Sequence, residues 1–153
     1  MQNNVLYITQ EGLEALKLEM HNLKEVKRIE VAQRIKLARE FGNLDESMEF
    51  EAALDEQAIV EARIQEIIEV LQRAQIPELT ITGEIVVGSR VTLELAGETE
   101  LFHIVGATEA DPLNNKISNE SPLGAALVGK TKGTVVEVAA PIGLTSYKVV
   151  HVE

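Results

Sequence analysis

The chain has 153 residues, of which 45% are hydrophobic and 25% charged, and its formal net charge is −11. Its length accommodates one ordinary domain or two small ones with separate cores. The excess of acid argues against a protein that coats duplex nucleic acid, because phosphate neutralisation needs surplus Lys and Arg. Cys and Trp are absent and aromatic residues make up 3%. This composition excludes a disulfide framework and thiolate chemistry, and it argues against an aromatic stacking platform for single strands.

The N-terminal residues give no sign of a targeting segment. Met1-Gln2-Asn3-Asn4 is polar and uncharged, unlike the start of a secretory signal. No apolar run approaches the roughly 18 residues that a membrane span needs. We therefore expect a cytoplasmic protein that makes no contact with membranes.

A first long helix is predicted from the spacing of apolar residues. Thr9 is suited to cap a helix that begins at Gln10 and continues without Pro to Phe41. The apolar positions slip in phase between Lys24 and Glu30. They are Leu13, Leu16, Met20, Leu23, Val31, Ile35 and Ala38. Some 30 helical residues would give an arm of roughly 45 Å.

A second helix is predicted to leave from about Ser47, after a break at Gly42-Asn43. Its apolar seam alternates steps of three and four residues, as in a coiled coil. The seam residues are Phe50, Ala53, Gln57, Val60, Ile64, Ile67 and Leu71. Two long seams joined by a short turn bury each other, so residues 1–75 are predicted to form an antiparallel coiled-coil hairpin with its tip at 42–49.

Charge is distributed unevenly along this hairpin. Residues 24–39 contain six basic residues and two acidic ones, whereas residues 40–69 contain ten acidic residues and one Arg. Part of this asymmetry is expected to be ordinary ion pairing between the arms. The acid at the tip is harder to explain by packing, although carboxylates also suit the first turn of a helix.

The hydrophobic period changes to two beyond a linker at 76–82 that contains Pro77. Residues 83–153 are predicted to form a small antiparallel α+β domain with an aliphatic core. Ser121 and Pro122 start its one helix as N-cap and first helical residue, and Gly129 closes it. The predicted strands are 84–87, 90–95, 100–105, 116–118, 134–139 and 146–152.

Only one constellation of residues has chemical content. The three His residues are isolated in sequence, and no Gly-rich phosphate loop is present. At the tip, Asp45, Glu46 and Glu49 offer oxygen ligands that suit Mg²⁺. Alone they would bind Mg²⁺ weakly, because this ion keeps its waters and usually needs phosphate oxygens as well. A useful site would be completed by a partner that receives the tip.

The sequence resembles the bacterial GreA/GreB transcript cleavage factors over essentially its whole length, and GreA most closely. The tip pattern of that family looks like G-D-L-x-E-N-x-E-Y-x-A-A, and the matching run here is residues 42–53, GNLDESMEFEAA. Further matching segments follow in the expected order and spacing. They are Ile104-Val105-Gly106, Glu109-Ala110-Asp111, Lys116-Ile117-Ser118, Ser121-Pro122-Leu123-Gly124 and residues 126–130.

The resemblance implies a fold and a partner. The C-terminal domain would be FKBP-like and would bind RNA polymerase, and the family motif Ser121-Pro122-Leu123-Gly124 is assigned to that contact. The coiled coil would enter the polymerase's secondary channel. The protein would act as a monomer and would not itself be an enzyme.

The resemblance also implies roles for the tip and for the arm that leads to it. Glu46, with Asn43, Asp45 and Glu49, would share a Mg²⁺ with the polymerase active site, which then hydrolyses backtracked RNA near the nascent 3′ end. Arg34, Lys36 and above all Arg39 would face that RNA or the channel wall.

Two positions depart from the family pattern. Asn43 stands where the family has the first of its two principal tip acids, and Leu54 stands where a basic residue is often found. An Asn offers a carbonyl oxygen but no charge. The alternative within the family is therefore a Gre-like factor that enters the channel without promoting cleavage.

Two readings from other classes are weaker. A prefoldin-type chaperone would place strands between its helices, and its tips would be apolar. A peptidyl-prolyl isomerase needs an aromatic-lined pocket, for which the second domain offers Phe102 and Tyr147. That reading rests on fold analogy, which does not establish function.

Overall fold

A computed structural model describes residues 4–40, 48–78 and 82–153. The chain divides into two compact units. One comprises Leu13–Gln72, and the other comprises Met1–Gly12 together with Arg73–Glu153. The prediction of an α+β protein with a helical region and a sheet region is confirmed.

The helical unit contains three α-helices and a π-helical turn among its described residues. Helix α1 spans Gln10–Asn22, the π-helical turn spans Leu23–Lys27, and α2 spans Arg28–Glu40. Helix α3 then spans Met48–Arg73. Thr9 caps α1 as predicted, because its Oγ1 accepts a hydrogen bond of 3.0 Å from the backbone N–H of Gly12.

The π-helical turn explains the slip of phase that the sequence shows. A seam that repeats every seven residues would continue from Leu23 to position 30, but the next apolar seam residue is Val31. A π-turn accommodates one additional residue without ending the helix. The turn lies at Leu23–Lys27, so the seam resumes on the correct face and Val31 is buried.

The two arms run antiparallel and bury one seam between them. Arg28 pairs with Glu61, and Arg34 pairs with Glu56. The residue number rises along the first arm while that of its partner falls along the second, as antiparallel arms require. The buried cluster of the seam consists of Val31, Ile35, Ala53, Val60 and Ile64. The prediction that Gln57 belongs to the buried seam is wrong, because this polar side chain is exposed.

The other unit contains a five-stranded sheet and, among its described residues, one α-helix, with the following bounds: β3 Arg90–Leu95, β4 Glu98–Val105, β5 Lys116–Ser118, α4 Pro122–Leu127, β6 Val135–Ala140 and β7 Gly143–Val152. The strand order in the sheet is β5-β4-β3-β7-β6. Neighbouring strands are antiparallel except β5, which runs parallel to β4, so the predicted antiparallel sheet contains one parallel pair.

The predicted strand at 84–87 is not a strand. Ile85 exchanges two backbone hydrogen bonds of 2.8 Å with residues 129 and 130, but the chain turns back where Ser89 N–H donates to the Val86 carbonyl. The apolar residues that suggested a strand are instead buried individually, since Ile85 and Val87 both belong to the core. A ladder cannot extend through a segment that reverses within four residues.

The core of this unit lies between the sheet and α4. Its buried residues come from six separated segments, and they are Ile85, Val91, Leu93, Ile104, Leu127, Val136 and Val149. The β3–β4 turn has Ala96 and Gly97 at φ of 52° and 84°. Two successive positive φ values are typical of the tight hairpin turn that matches strand twist.

The N-terminal segment belongs to the sheet-containing unit. Strand β1, Leu6–Tyr7, pairs in parallel with β2, Ala74–Gln75. The predicted hairpin domain of 1–75 therefore included two short strands that contribute to the other unit, because their apolar and neutral sequence carries no boundary signal. In the described residues, no helix combines the length and hydrophobicity needed to cross a bilayer.

Candidate functional site

The predicted acidic tip falls largely outside the described residues. Asn43, Asp45 and Glu46 lie in the segment 41–47, so their roles stay predictions. Glu49 is the second residue of α3, and it is exposed. Within the described ranges, no group of three potential metal ligands is gathered in one place. Glu49 therefore supplies a hard oxygen ligand that water or a partner can reach, and it would need other ligands to complete a metal site.

The three predicted basic contacts differ in their surroundings. Arg34 forms an ion pair with Glu56 across the arms. Arg39, in the last turn of α2, has its guanidinium carbon 5.8 Å from the centre of the Phe50 ring. Lys36 is exposed and forms no ion pair with any described residue. Of the three side chains, Lys36 alone has no ion pair or aromatic contact with the described part of the hairpin.

Ion pairs connect the arms over much of their described length. Arg28 and Glu61 form two hydrogen bonds of 2.7 and 2.9 Å, and Arg63 and Glu19 form two of 2.7 and 3.0 Å. All four side chains are 40–45% exposed. Each pair is bidentate, which fixes the orientation of the guanidinium against the carboxylate.

The hydrogen bonds in these pairs also shift the pKa values of their members. The hydrogen bond from Arg63 lowers the pKa of Glu19, and the hydrogen bond from Arg28 lowers the pKa of Glu61. The pKa of each Arg rises through the same contacts. These two carboxylates are therefore favoured in their charged form, which supports the expectation that part of the charge asymmetry is ordinary pairing.

The predicted polymerase-binding motif lies at the start of α4. Ser121 Oγ accepts from Gly124 N–H at 3.1 Å and donates to the Ser118 carbonyl at 2.7 Å. Leu123 packs against the core, and Gly124 is buried, whereas Pro122 is exposed. Three of the four residues thus shape the loop and helix, and Pro122 is the one that presents its side chain to solvent.

Glu109, for which the sequence predicts no role, lies in a cluster of hydrogen bonds. Its carboxylate accepts from the backbone N–H of Thr9 at 2.9 Å, from the Thr9 hydroxyl, and from Gly106 N–H at 3.3 Å. A side chain at Gly12 would lie 2.1 Å from Glu109 Oε1. The segment 109–111 matched the family motif, but only the fold reveals that Glu109 reaches a residue 100 positions away.

The two aromatic residues named for an isomerase pocket do lie together. Phe102 and Tyr147 pack against the core and line a depression of about 450 Å³. Glu98 and Glu100 also line it. A prolyl site is expected to be apolar and aromatic, so two carboxylates at its wall give no support to that reading.

The described residues define a protein that combines a hairpin of two helical arms with a unit built on a five-stranded sheet. Two family models match nearly all of it. The model for the transcription elongation factor N-terminal domain matches residues 6–76. The model for the GreA/GreB transcription elongation factor C-terminal domain matches residues 80–153.

Similar proteins agree with these matches. Transcription elongation factor GreA of Lactococcus lactis subsp. lactis is 47% identical over 150 residues, which cover 95% of this chain and 96% of that protein. GreA of Thermosipho melanesiensis is 43% identical, with coverage of 100% and 99%. Gfh1 of Thermus thermophilus, a GreA factor homologue of known structure, is 31% identical, with coverage of 98% and 99% and a TM-score of 0.45. The chain belongs to the GreA/GreB family of transcription elongation factors.

Proposed function

We propose that this protein binds bacterial RNA polymerase in the cytoplasm, inserts its hairpin into the secondary channel and stimulates cleavage of backtracked RNA. The observation that carries the proposal is the placement of acid. Two helical arms end on either side of the acidic segment 41–47, and exposed Glu49 follows directly in α3. Helix α3 has 26 residues, which at 1.5 Å per residue gives about 39 Å of reach.

The chemistry would belong to the polymerase, and this chain would supply ligands. Mg²⁺, when shared between the two proteins, would polarise a water and stabilise the charge of the phosphodiester under attack. Glu46 is the principal ligand in this proposal, with Asn43, Asp45 and Glu49 beside it. The carboxylates of Asp45, Glu46 and Glu49 would also orient the water through hydrogen bonds. The protein is accordingly a cofactor of polymerase and not an enzyme.

Asn43 sets the strength of the expected activity. One charge a few ångströms from the metal is worth roughly 4 kcal/mol at an effective dielectric of 20. Since about 1.4 kcal/mol corresponds to tenfold in rate, the missing carboxylate would cost on the order of 10²- to 10³-fold. This observation favours one second candidate, a Gre-like regulator that enters the channel without promoting cleavage. Asp45 is the residue available to compensate.

The decisive experiment measures RNA cleavage in a halted, backtracked complex of the cognate polymerase. It compares buffer with the unaltered protein, Asn43→Asp, Glu46→Ala and Glu49→Gln. We expect the unaltered protein to shorten the transcript, Glu46→Ala to abolish the effect and Asn43→Asp to increase it. Cleavage by Asn43→Asp alone would establish the regulator. Absence of both cleavage and polymerase binding in every variant would overturn the proposal.

The polymerase contact is proposed to lie at the start of α4, with Pro122 as its accessible residue. Replacing Pro122 by Asp would put a charge at the proposed interface while leaving the buried residues of the helix in place. We expect weaker competition with the unaltered protein for polymerase. Glu120→Gln, one position before the N-cap, is the matched surface control and should compete normally.

A further inference from the structure

The last turn of α2 and the first turn of α3 meet through a cation and an aromatic ring. The guanidinium carbon of Arg39 lies 5.8 Å from the centre of the Phe50 ring. This distance is within the range of a cation–π interaction. The two residues stand on opposite sides of the acidic segment 41–47, so their contact closes the described hairpin next to the tip.

The ring is held firmly, whereas the cation is accessible. Phe50 is half-buried and packs against the seam cluster that contains Ala53 and Ile35. Arg39 is exposed, and its position in the last turn of α2 also places a positive charge at the helix end that favours one. The ring can therefore act as a fixed support on which the guanidinium is placed.

Glu49 is the described tip carboxylate, and it immediately precedes Phe50 in the first turn of α3. Any movement of Phe50 changes the direction in which this first turn leaves the seam. A contact that fixes Phe50 against the other arm thus fixes the backbone that carries Glu49. Positioning to within a fraction of an ångström matters when a ligand must reach a metal held by another protein.

We propose that Arg39 is a positioning residue for Glu49, acting through the Phe50 ring, and that its main role is not direct contact with RNA. The proposal rests on the proposed function of the tip. It assigns the direct contact with RNA or the channel wall to Lys36, which is exposed and forms no ion pair within the described chain.

A double-mutant cycle on the full-length protein tests this assignment. Arg39→Met removes the cation, Phe50→Leu removes the ring but keeps an apolar side chain, and the third variant combines both. Each is assayed for the maximal cleavage rate at saturating factor and for the factor concentration that gives half of that rate. A cation–π contact at an exposed site corresponds to about 2- to 5-fold. We expect each single change to lower the maximal rate by at least this factor and the double change to lower it no further.

Conservative variants separate positioning from mere structural support. Phe50→Tyr keeps the ring and should retain the full rate, and Arg39→Lys keeps a cation and should retain most of it. Lys36→Met removes a neighbouring charge without touching the ring. It should raise the half-saturating concentration, because Lys36 is assigned to the contact with RNA or the channel wall.

A second readout does not depend on cleavage. In the free protein, amide hydrogen exchange of residues 52–55, the first amides bonded within α3, should accelerate by about 2- to 5-fold in Arg39→Met and in Phe50→Leu, with no further increase in the double variant. The exchange measurement tests the role of Arg39 even if the unaltered protein does not stimulate cleavage. In that case only the proposed function fails. Multiplicative effects of the two changes on rate and exchange, or an unchanged maximal rate in Phe50→Leu, would overturn it.

Discussion

The two units of this protein are held together in different ways. The sheet-containing unit has a core cluster of seven buried aliphatic residues drawn from positions 85 to 149, so that distant segments of chain share one core. Among the described residues of the hairpin, the corresponding cluster has five buried residues in a single seam, and exposed ion pairs lie along its sides. One unit is therefore stabilised by a core shared among many segments. The other is a thin helical hairpin that carries charged side chains along its exposed sides.

The difference has an energetic basis. Burial of a large aliphatic side chain contributes about 1.5–3 kcal/mol, whereas an exposed ion pair contributes little and weakens with salt. A thin hairpin cannot bury more than one seam, because each residue off that seam faces water. Substitutions in the sheet core are therefore expected to be the most damaging, and those at the exposed pairs the least.

The largest expected effect comes from shortening a core side chain. Ile104→Ala should destabilise the sheet-containing unit by about 4 kcal/mol, because Ile104 is fully buried and surrounded by residues from several strands. Ile64→Ala should cost the hairpin about 3 kcal/mol, since a single seam can collapse more easily around the gap. Region-resolved native-state hydrogen exchange measures both. An equal or larger loss at Ile64 would contradict the expected difference in stability between the two units. As the control, exposed Leu101→Ala should change stability by less than about 0.5 kcal/mol.

A smaller loss of stability is expected from adding a side chain where the backbone is tightly packed. A Cβ at Gly124 would lie 1.9 Å from the Ser118 carbonyl oxygen. Gly124→Ala should therefore destabilise by about 2–3 kcal/mol in urea denaturation. Gly97 has a φ of 84° but nothing within 4 Å of a built Cβ, so Gly97→Ala should cost only about 1 kcal/mol. The reverse order would show that Gly124 is not tightly packed.

An intermediate case is the carboxylate of Glu109. Glu109→Gln keeps the shape but removes the charge that accepts hydrogen bonds from Thr9 at the start of α1. We expect a loss of about 1–2 kcal/mol in thermal or urea denaturation. Glu100→Gln is the control, because its bond to Asn115 is exposed, and it should cost less than about 0.5 kcal/mol. Equal effects would mean that the Glu109 cluster adds nothing beyond a surface contact.

The smallest effect concerns the ion pairs of the hairpin and its dependence on pH. Glu19 and Glu61 have pKa values lowered by hydrogen bonds from Arg63 and Arg28. Groups with a lowered folded-state pKa stabilise above their unfolded pKa, about 4.3 for Glu, and lose that contribution as pH falls through the folded pKa. The free energy of unfolding of the hairpin should therefore fall below about pH 4.3.

The pH effect is measured by helix content during urea denaturation between pH 7 and pH 3. Glu19→Gln/Glu61→Gln should show a shallower loss in the acid range than the unaltered chain, and the difference should shrink in high salt. If stability depends on pH in the same way for the two proteins between pH 7 and pH 3, these ion pairs do not contribute to the stability of the hairpin.

The sequence predicts the periodic features of this fold well. The seams of α2 and α3, the Thr9 and Ser121 caps and most strands follow from local spacing and capping chemistry. It could not predict that β5 runs parallel to β4, or that residues 84–87 form no ladder. Both depend on where distant segments pass, which hydrophobic periodicity does not encode.

The candidate site could be predicted only in part from the sequence. The sequence alone identifies the acidic run and exposed Glu49, because such a density of carboxylate has little value for packing. It could not separate Arg34, Lys36 and Arg39, which have the same charge and lie on one helix. Their partners, Glu56 for Arg34 and Phe50 for Arg39, come from the opposite arm and appear only once the arms are aligned.

The short parallel pair of β1 and β2 has a consequence for how this protein can be cut. Ile8 N–H donates to the Gln75 carbonyl at 3.0 Å. The two ends of the hairpin are therefore joined to neighbouring points of the sheet-containing unit, as in a domain inserted into another. A fragment that starts at residue 76 would discard β1 and β2 and would leave the Glu109 carboxylate without its Thr9 donors. A faithful isolated fragment would instead join Gly12 to Arg73 through a short linker and keep both ends of the chain.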